Sequence, residues 1–235
     1  MYILGIDTAT ANGGIAIVDE HEIISSVSFS ELPMKQHSEA LLPSLQNMLA
    51  VTELKLTDMS AVAVAAGPGS FTGLRIGIAT AKAFAHALEL PLISVSSLEA
   101  TAKAIGENGL VCPLFDARKN EVYAALFRNG ERILPDMALS VAALCERILE
   151  INEPLHCGGD GFITYQKELT AILGNLLLPS SPESVQTAVA VAKLGKEKFI
   201  TGDTVTAEEL KPVYLRVSEA EAKKAIHNAQ CTMHN

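Results

Sequence analysis

Short apolar runs alternate with helical stripes along the first hundred residues. Such runs, bounded by turn residues, predict buried strands, whereas apolar residues at three- and four-residue spacing predict amphipathic helices. Pro43 falls inside one helical stripe, so that helix either begins late or bends there. The predicted elements are, in chain order, strands at 2–7, 14–19 and 22–30, a helix near 38–50, a strand at 61–66, a helix reaching about 89, a strand at 91–95 and a helix at 97–105.

The remaining chain repeats this order. Asn129-Gly130 predicts a hairpin turn between two of its strands, because both residues tolerate the positive φ that tight hairpins need. The predicted elements are strands at 111–115, 121–127 and from Arg132 onward, a helix at 140–151, a strand at 154–157, a helix at 162–173, a strand at 175–178 and a helix at 184–200.

Both halves therefore run β-β-β-α-β-α, and each has an aspartate just after its first strand, Asp7 and Asp116. This order predicts an α/β protein of the actin-like, sugar-kinase and Hsp70 fold, with two ribonuclease-H-like halves whose mixed sheets are flanked by helices. We expect the halves at 1–105 and 106–217, with the last helix packing back on the first half. A polar tail at 218–235 is expected to fray.

Composition supports a folded protein and disfavours an independent nucleic-acid binder. Of 235 residues, 49% are hydrophobic and 19% charged, and the formal net charge is −9. Proteins that bind RNA alone usually carry a basic footprint, because phosphate contacts supply most of their affinity. An RNA role is therefore more plausible through a partner than through this chain alone.

The hydrophobic runs, the first residues and the cysteine spacing together predict a cytoplasmic protein. No apolar run approaches the roughly 18–20 residues that a membrane helix needs, and the first residues resemble a strand rather than a signal peptide. The four cysteines show no C-x-x-C spacing, so neither disulfides nor a zinc site is expected.

The glycine-rich segment Gly67–Gly77 lies between a buried strand and a helix, where phosphate-binding turns occur. It lacks the Gly-Lys-Ser/Thr of a Walker loop, and its G-x-G-x-x-x-G spacing differs from the dinucleotide fingerprint. The simpler interpretation is a tight strand-to-helix turn, with Ser70 or Thr72 capping the helix.

The helix after this turn carries small residues at every fourth position. Glycine inside a helix costs about 0.5–1 kcal/mol relative to alanine, so this pattern indicates close approach by another backbone. That backbone belongs either to the sheet beneath or to a helix of a second subunit, and the apolar stripe near 38–50 favours the second. The candidate dimer interface comprises His37, Leu41, Leu45, Met48, Gly73, Gly77, Ala81 and Ala85.

Four separated segments resemble one family. They are Ile6-Asp-Thr-Ala-Thr10, Gly67–Gly77, Asp116-Ala-Arg-Lys-Asn-Glu-Val-Tyr123 and Pro212-Val-Tyr-Leu-Arg216. Together they are similar to the TsaB family, also called YeaZ, along the chain from the first strand to the last. The resemblance implies an actin-like fold and a dimerising, non-catalytic role in making threonylcarbamoyladenosine beside the tRNA anticodon.

The same resemblance implies specific partners. They are a TsaD-like catalytic subunit, paired through helices near 37–50 and 72–88, and a TsaE-like ATPase. A homodimer is a further expectation, and tRNA is expected to contact this chain only through the complex.

No catalytic residue and no metal site are expected. The His-x-x-x-His metal pair of the catalytic relative aligns with Ser97 and Thr101, whose hydroxyls cannot hold a transition metal comparably. The six histidines form no pair at helical i,i+3 or i,i+4 spacing. No G-x-S-x-G elbow supports protease chemistry.

A residual nucleotide cleft is the remaining candidate site. The positions that this fold uses for phosphate and Mg²⁺ are occupied here by Asp7, Thr8, Thr10 and Asp116. Gly158, Gly159 and Gly161 follow a short strand, as a turn that contacts adenosine would. They predict either weak ATP or ADP binding with Mg²⁺, or turns that shape the fold without a ligand. The rival function is an actin-like-fold ATPase or small-molecule kinase that acts on its own.

Overall fold

A computed structural model describes residues 1–33, 36–179 and 186–216 of the chain. Its first sheet has five strands in the order β3-β2-β1-β4-β5. The three strands β1, β2 and β3 pair antiparallel, whereas β4 and β5 continue from β1 in parallel. The strands are β1 (Tyr2–Asp7), β2 (Gly14–Val18), β3 (Ile23–Ser28), β4 (Met59–Gly67) and β5 (Leu92–Ser96).

Helices cover both faces of this sheet. On one face α1 (His37–Thr52) and α2 (Phe71–Leu88) bury their apolar sides against β1, β2 and β4. On the other face lie α3 (Ser97–Ile105) and α6 (Thr187–Thr201). β4 is buried along nearly its whole length, which explains its continuous run of alanine and valine.

The second sheet repeats the first with one strand fewer, in the order β8-β7-β6-β9. Its outer face packs on the helices α4 and α5. Its inner face packs on α3, so this one helix separates the two sheets and contacts both. The elements are β6 (Leu110–Arg118), β7 (Glu121–Arg128), β8 (Glu131–Ser140), α4 (Val141–Ile151), β9 (Leu155–Gly158) and α5 (Asp160–Leu173).

Serine caps turn three strands directly into helices. The hydroxyls of Ser70, Ser96 and Ser140 accept hydrogen bonds from backbone N–H groups three residues later, at 3.2, 3.3 and 3.2 Å. Each serine satisfies one of the N–H groups that a helix start leaves without a partner. The loops between sheet and helix are therefore short, which keeps their residues at the sheet edge.

One predicted element differs from the structure, and two others need comment. The predicted strand at 175–178 is wrong, because Gly174–Leu176 forms a 3₁₀ turn and only Leu177 makes an isolated bridge, to Leu155. α1 begins at His37 and runs through Pro43, so it does not begin late. The predicted start of the last helix at 184, and the tail at 218–235, lie outside the described residues.

Two sheets that share the strand order 3-2-1-4, each flanked by helices, are two ribonuclease-H-like halves. The sequence-based prediction of an actin-like α/β fold is therefore confirmed. α6 packs on the sheet of the first half, against β1, β2 and β4.

Candidate functional site

A cavity of about 440 Å³ lies between the two halves. The loops after β1 and β4 contribute its first wall, and the end of β6 with the start of α5 contributes the second. Of the seven predicted cleft residues, Thr10 and Asp116 line this cavity.

Asp7 lies behind the cavity wall and is fully buried. Its Oδ1 accepts backbone hydrogen bonds from Ala9 at 2.8 Å and Thr10 at 3.2 Å. Its Oδ2 lies 2.6 Å from the Thr10 hydroxyl and 2.5 Å from the Thr187 hydroxyl. Both carboxylate oxygens are thus occupied by protein donors, which is the arrangement expected of a buried charge that stabilises the fold.

Thr8 has a similar structural role. Its hydroxyl is buried and donates a 2.6 Å hydrogen bond to the carbonyl of Gly73, at the start of α2. The loop after β1 is therefore tied to α2 on one side and, through Thr187, to α6 on the other.

Asp116 lines the second wall of the cavity, and both of its carboxylate oxygens interact with neighbouring residues. Its Oδ1 accepts from the backbone N–H of Arg118 at 2.8 Å and from the Tyr165 hydroxyl at 3.1 Å. Its Oδ2 lies 3.1 Å from the Arg118 guanidinium. Burial, together with the charge of Asp116, raises the pKa of Tyr165.

Asp160, at the start of α5, is a cavity residue that the sequence analysis missed. Burial raises the pKa of its carboxyl to about 6, and the charge of Asp116 contributes in the same direction. Backbone hydrogen bonds from Asp116 and Gly161 oppose this shift. Near neutral pH this side of the cleft therefore holds a carboxyl group that is easily protonated.

The predicted glycine turn 158–161 serves internal packing. Gly159 has φ +101°, and a side chain there would run into the carbonyl of Leu114. At Gly161 a Cβ atom would lie 2.7 Å from the carbonyl carbon of Phe115. The glycines allow α5 to begin directly against β6, and Gly158 pairs within the sheet opposite Pro113.

Three cations line the cavity in a chain of net negative charge: Arg118, Lys119 and Arg216. All three lie in the segments that resemble the family, but the sequence alone did not assign them to the cleft. Arg118 is the last residue of β6 and Lys119 follows it, so the position of both at a strand end could have been inferred from the sequence. Arg216 follows β6 by almost a hundred residues, so only the tertiary structure brings it to the cavity.

The eight residues predicted as a dimer interface are all buried within the folded protein, so that part of the prediction is wrong. Leu41, Leu45 and Met48 are at most 4% exposed and pack on the first sheet. His37 is 1% exposed, with Nε2 3.1 Å from the Phe29 carbonyl oxygen. None of these side chains is available to a second subunit.

The small-residue ridge of α2 faces the first sheet as well. A side chain at Gly73 would run into the carbonyl of Thr8, and a Cβ at Gly77 would lie 2.7 Å from the Thr8 hydroxyl. Ala81 and Ala85 continue this buried side. The ridge therefore lets α2 approach the loop after β1, which is the intramolecular alternative that the sequence left open.

A second row of alanines runs along the opposite side of α2. Ala79, Ala83 and Ala87 are exposed and follow one another at four-residue spacing. On the neighbouring helix α1, Leu42 is 54% exposed and Val51 74%. Exposed small or apolar side chains thus occur on both helices, and we call the surface with Ala79, Ala83 and Ala87 of α2 and Leu42 of α1 the α1–α2 outer face.

Ser97 and Thr101 are fully buried in α3, and the Thr101 hydroxyl donates to the Ser97 carbonyl at 2.9 Å. Within residues 1–33, 36–179 and 186–216, no three His, Cys, Asp or Glu side chains are grouped to hold a metal ion. The same residues include no helix that is both long and apolar enough to cross a membrane.

The doubled fold and its central cleft define a protein of the actin-like class. A family model described as "TsaD: tRNA N6-adenosine threonylcarbamoyltransferase" matches residues 23–178. The "tRNA threonylcarbamoyladenosine biosynthesis protein TsaB" of Bacillus subtilis is 35% identical over 230 residues, covering 95% of this chain and 97% of that protein. The protein of the same name from Escherichia coli is 34% identical, covering 95% and 98%.

Solved structures agree with these sequence relatives. YeaZ from Pseudomonas aeruginosa superimposes with a TM-score of 0.70 at 26% identity, covering 91% of this chain and all of that one. A second structure, described as an uncharacterized protein with similarity to the peptidase YEAZ from the same organism, gives 0.72 at 27% identity, covering 92% and 99%. The chain belongs to the TsaB (YeaZ) family of tRNA threonylcarbamoyladenosine biosynthesis proteins.

Proposed function

We propose that this chain is a non-catalytic subunit that binds and activates a TsaD-like catalytic subunit through the α1–α2 outer face. The observation that carries the proposal is the exposed alanine row Ala79, Ala83 and Ala87 on α2, together with the exposed Leu42 on the neighbouring helix α1. Small side chains let two helices approach closely, and an exposed apolar face is typical of a binding surface.

The family match supports a partner of related fold. The model that matches residues 23–178 is named for the catalytic transferase, so this chain and such an enzyme share their architecture. Two related chains can pair corresponding helices about a pseudo-twofold axis, as homodimers do about a true one. The same face is expected to join two copies of this chain when the catalytic subunit is absent.

Other members of a cytoplasmic complex then catalyse the modification and contact the tRNA. The buried hydroxyls of Ser97 and Thr101 support the absence of a metal centre of the catalytic kind. The net charge of −9 supports tRNA binding through partners, and a TsaE-like ATPase is the expected third component.

We propose further that the cleft does not hold a magnesium nucleotide as kinases of this fold do. Protein donors occupy both oxygens of Asp7, so the first carboxylate of the site is not free to bind a metal-bound water. Titration of the purified chain with ATP and Mg²⁺ should release no heat of binding. Steady ATP hydrolysis by the lone chain would favour the rival ATPase or kinase instead.

Leu42→Arg and Ala83→Glu test the docking face. Each places a charge at the centre of the proposed interface while leaving the buried sides of α1 and α2 unchanged. Affinity for the TsaD-like protein of the same organism, measured by calorimetry, should fall at least about tenfold, which corresponds to about 1.4 kcal/mol. Threonylcarbamoyladenosine formation in the reconstituted reaction should fall with it.

Leu149→Arg is the matched control, because Leu149 is a 43% exposed leucine on α4 of the other half. It should leave both affinity and modification unchanged. If the two α1–α2 variants bind the catalytic subunit as tightly as the control does, the proposed interface is wrong.

A further inference from the structure

The segment Pro212–Arg216 runs from the first half to the second across the cleft. Its first contacts are with the end of β4. The backbone N–H of Val213 donates to the Ala66 carbonyl at 2.7 Å, and the Val213 backbone lies directly against Gly67. Gly67 has φ +124° and leaves no room for a side chain, so this contact is built into the turn.

Tyr214 attaches the segment to the exposed side of α2. Its ring stacks on Phe71 with a centroid distance of 4.5 Å and an interplanar angle of 22°. Its hydroxyl accepts a 3.1 Å hydrogen bond from Nε of Arg75, whose guanidinium also lies 5.9 Å from the ring centroid. Both partners belong to the first two turns of α2.

The next two residues attach the segment to the second half. Leu215 packs on the apolar cluster between α3 and the second sheet, which includes Phe115 and Tyr123. The Arg216 guanidinium donates to the Ala117 carbonyl at 3.1 Å and lies 2.7 Å from the Glu121 carboxylate. Arg216 also lines the cavity between the halves.

We infer that Pro212–Arg216 is a latch, which holds the two halves at a fixed opening of the cleft and connects the exposed side of α2 to the cavity. Proteins built from two halves around a cleft open and close about a few hinge residues. Here the segment contacts both rims of the cleft, so an opening that moves the rims apart must separate Arg216 from β6 and β7 or Tyr214 from α2. The inference does not depend on the proposed partner.

The test measures the distance between the halves in the full chain. Spin labels are placed at Thr57→Cys in the first half and Glu146→Cys in the second, since both positions are exposed. Cys231 is replaced by Ser, and a chain without the two new cysteines reports any labelling of the buried thiols, which are Cys112, Cys145 and Cys157. Pulsed electron paramagnetic resonance then gives the distribution of label-to-label distances.

The double variant Tyr214→Ala/Arg216→Ala should shift this distribution to longer distances and broaden it. Lys211→Ala, an exposed residue just before the latch, should leave it unchanged. If the double variant no longer unfolds cooperatively, Arg216→Gln alone removes the ionic contact to the second half and should produce the same shift. Distributions as narrow as that of the parent chain in both variants would overturn the latch.

Discussion

Replacing Asp7 by Asn distinguishes a carboxylate that stabilises the fold from one that binds a ligand. The side chain is fully buried and accepts from two backbone N–H groups, while two hydroxyls lie within 2.6 Å of its second oxygen. An Asn side chain keeps one acceptor oxygen but presents an amide NH₂ group where the Thr10 and Thr187 hydroxyls now point.

The size of the effect follows from these contacts. A hydrogen bond to a charged group is worth about 1.5–3 kcal/mol, and a buried donor left without a partner costs about 1–3 kcal/mol. The two hydroxyls can rotate and accept from the new amide, which recovers part of the loss. We therefore expect Asp7→Asn to lower the free energy of unfolding by about 3 kcal/mol.

Urea unfolding followed by circular dichroism measures this loss, and an unchanged m value shows that the same surface is exposed on unfolding. Asp19→Asn is the matched control, because Asp19 also accepts two backbone N–H groups, at 2.7 and 2.8 Å, but in an exposed turn. Its stability should stay close to that of the parent chain. An Asp7→Asn variant as stable as this control, with a measurable loss of nucleotide binding relative to the parent, would refute the structural role.

Two further predictions concern α2 and the cleft. Gly77→Leu should destabilise the chain by about 3 kcal/mol, because its Cβ meets the Thr8 hydroxyl at 2.7 Å. Ala79→Leu, on the exposed side, should leave stability in urea unchanged but weaken homodimer formation measured by size-exclusion chromatography. The opposite pattern would mean that the alanine row is buried and the glycine row forms the interface. The pKa of Asp160 is raised to about 6, so the folded chain binds a proton at this carboxyl more tightly than the unfolded chain does. The stability that protonation of Asp160 contributes is therefore lost as pH rises from about 4 through 6. Asp160→Asn should therefore gain up to about 3 kcal/mol relative to the parent between pH 4 and 7, at about 1.36 kcal/mol per pKa unit, whereas parallel urea-stability profiles would contradict the shift.

Local patterns were sufficient for most elements of the fold. The alanine and valine run of β4, the Asn129-Gly130 hairpin and the Ser70 cap depend on neighbours a few residues apart, and they appear where the sequence predicts them. The predicted strand at 175–178 failed because a short apolar run carries no information about whether a strand is available to pair with it. The family resemblance was confirmed because it depends on the order of residues rather than on their environment.

The sequence by itself determined that α2 has small residues on helical spacing, but not which side of the helix is buried. Two positions along a helix turn a side chain by about 200°, so the rows containing Gly77 and Ala79 lie on opposite faces with the same period. Only the sheet beneath α2 decided that the glycine row is internal and the alanine row is exposed. Likewise the sequence suggested that Asp7 binds a ligand, whereas in the structure its carboxylate accepts a hydrogen bond from Thr187, 180 residues away. Burial and long-range hydrogen bonds depend on which distant segments meet, and that is a property of the folded chain alone.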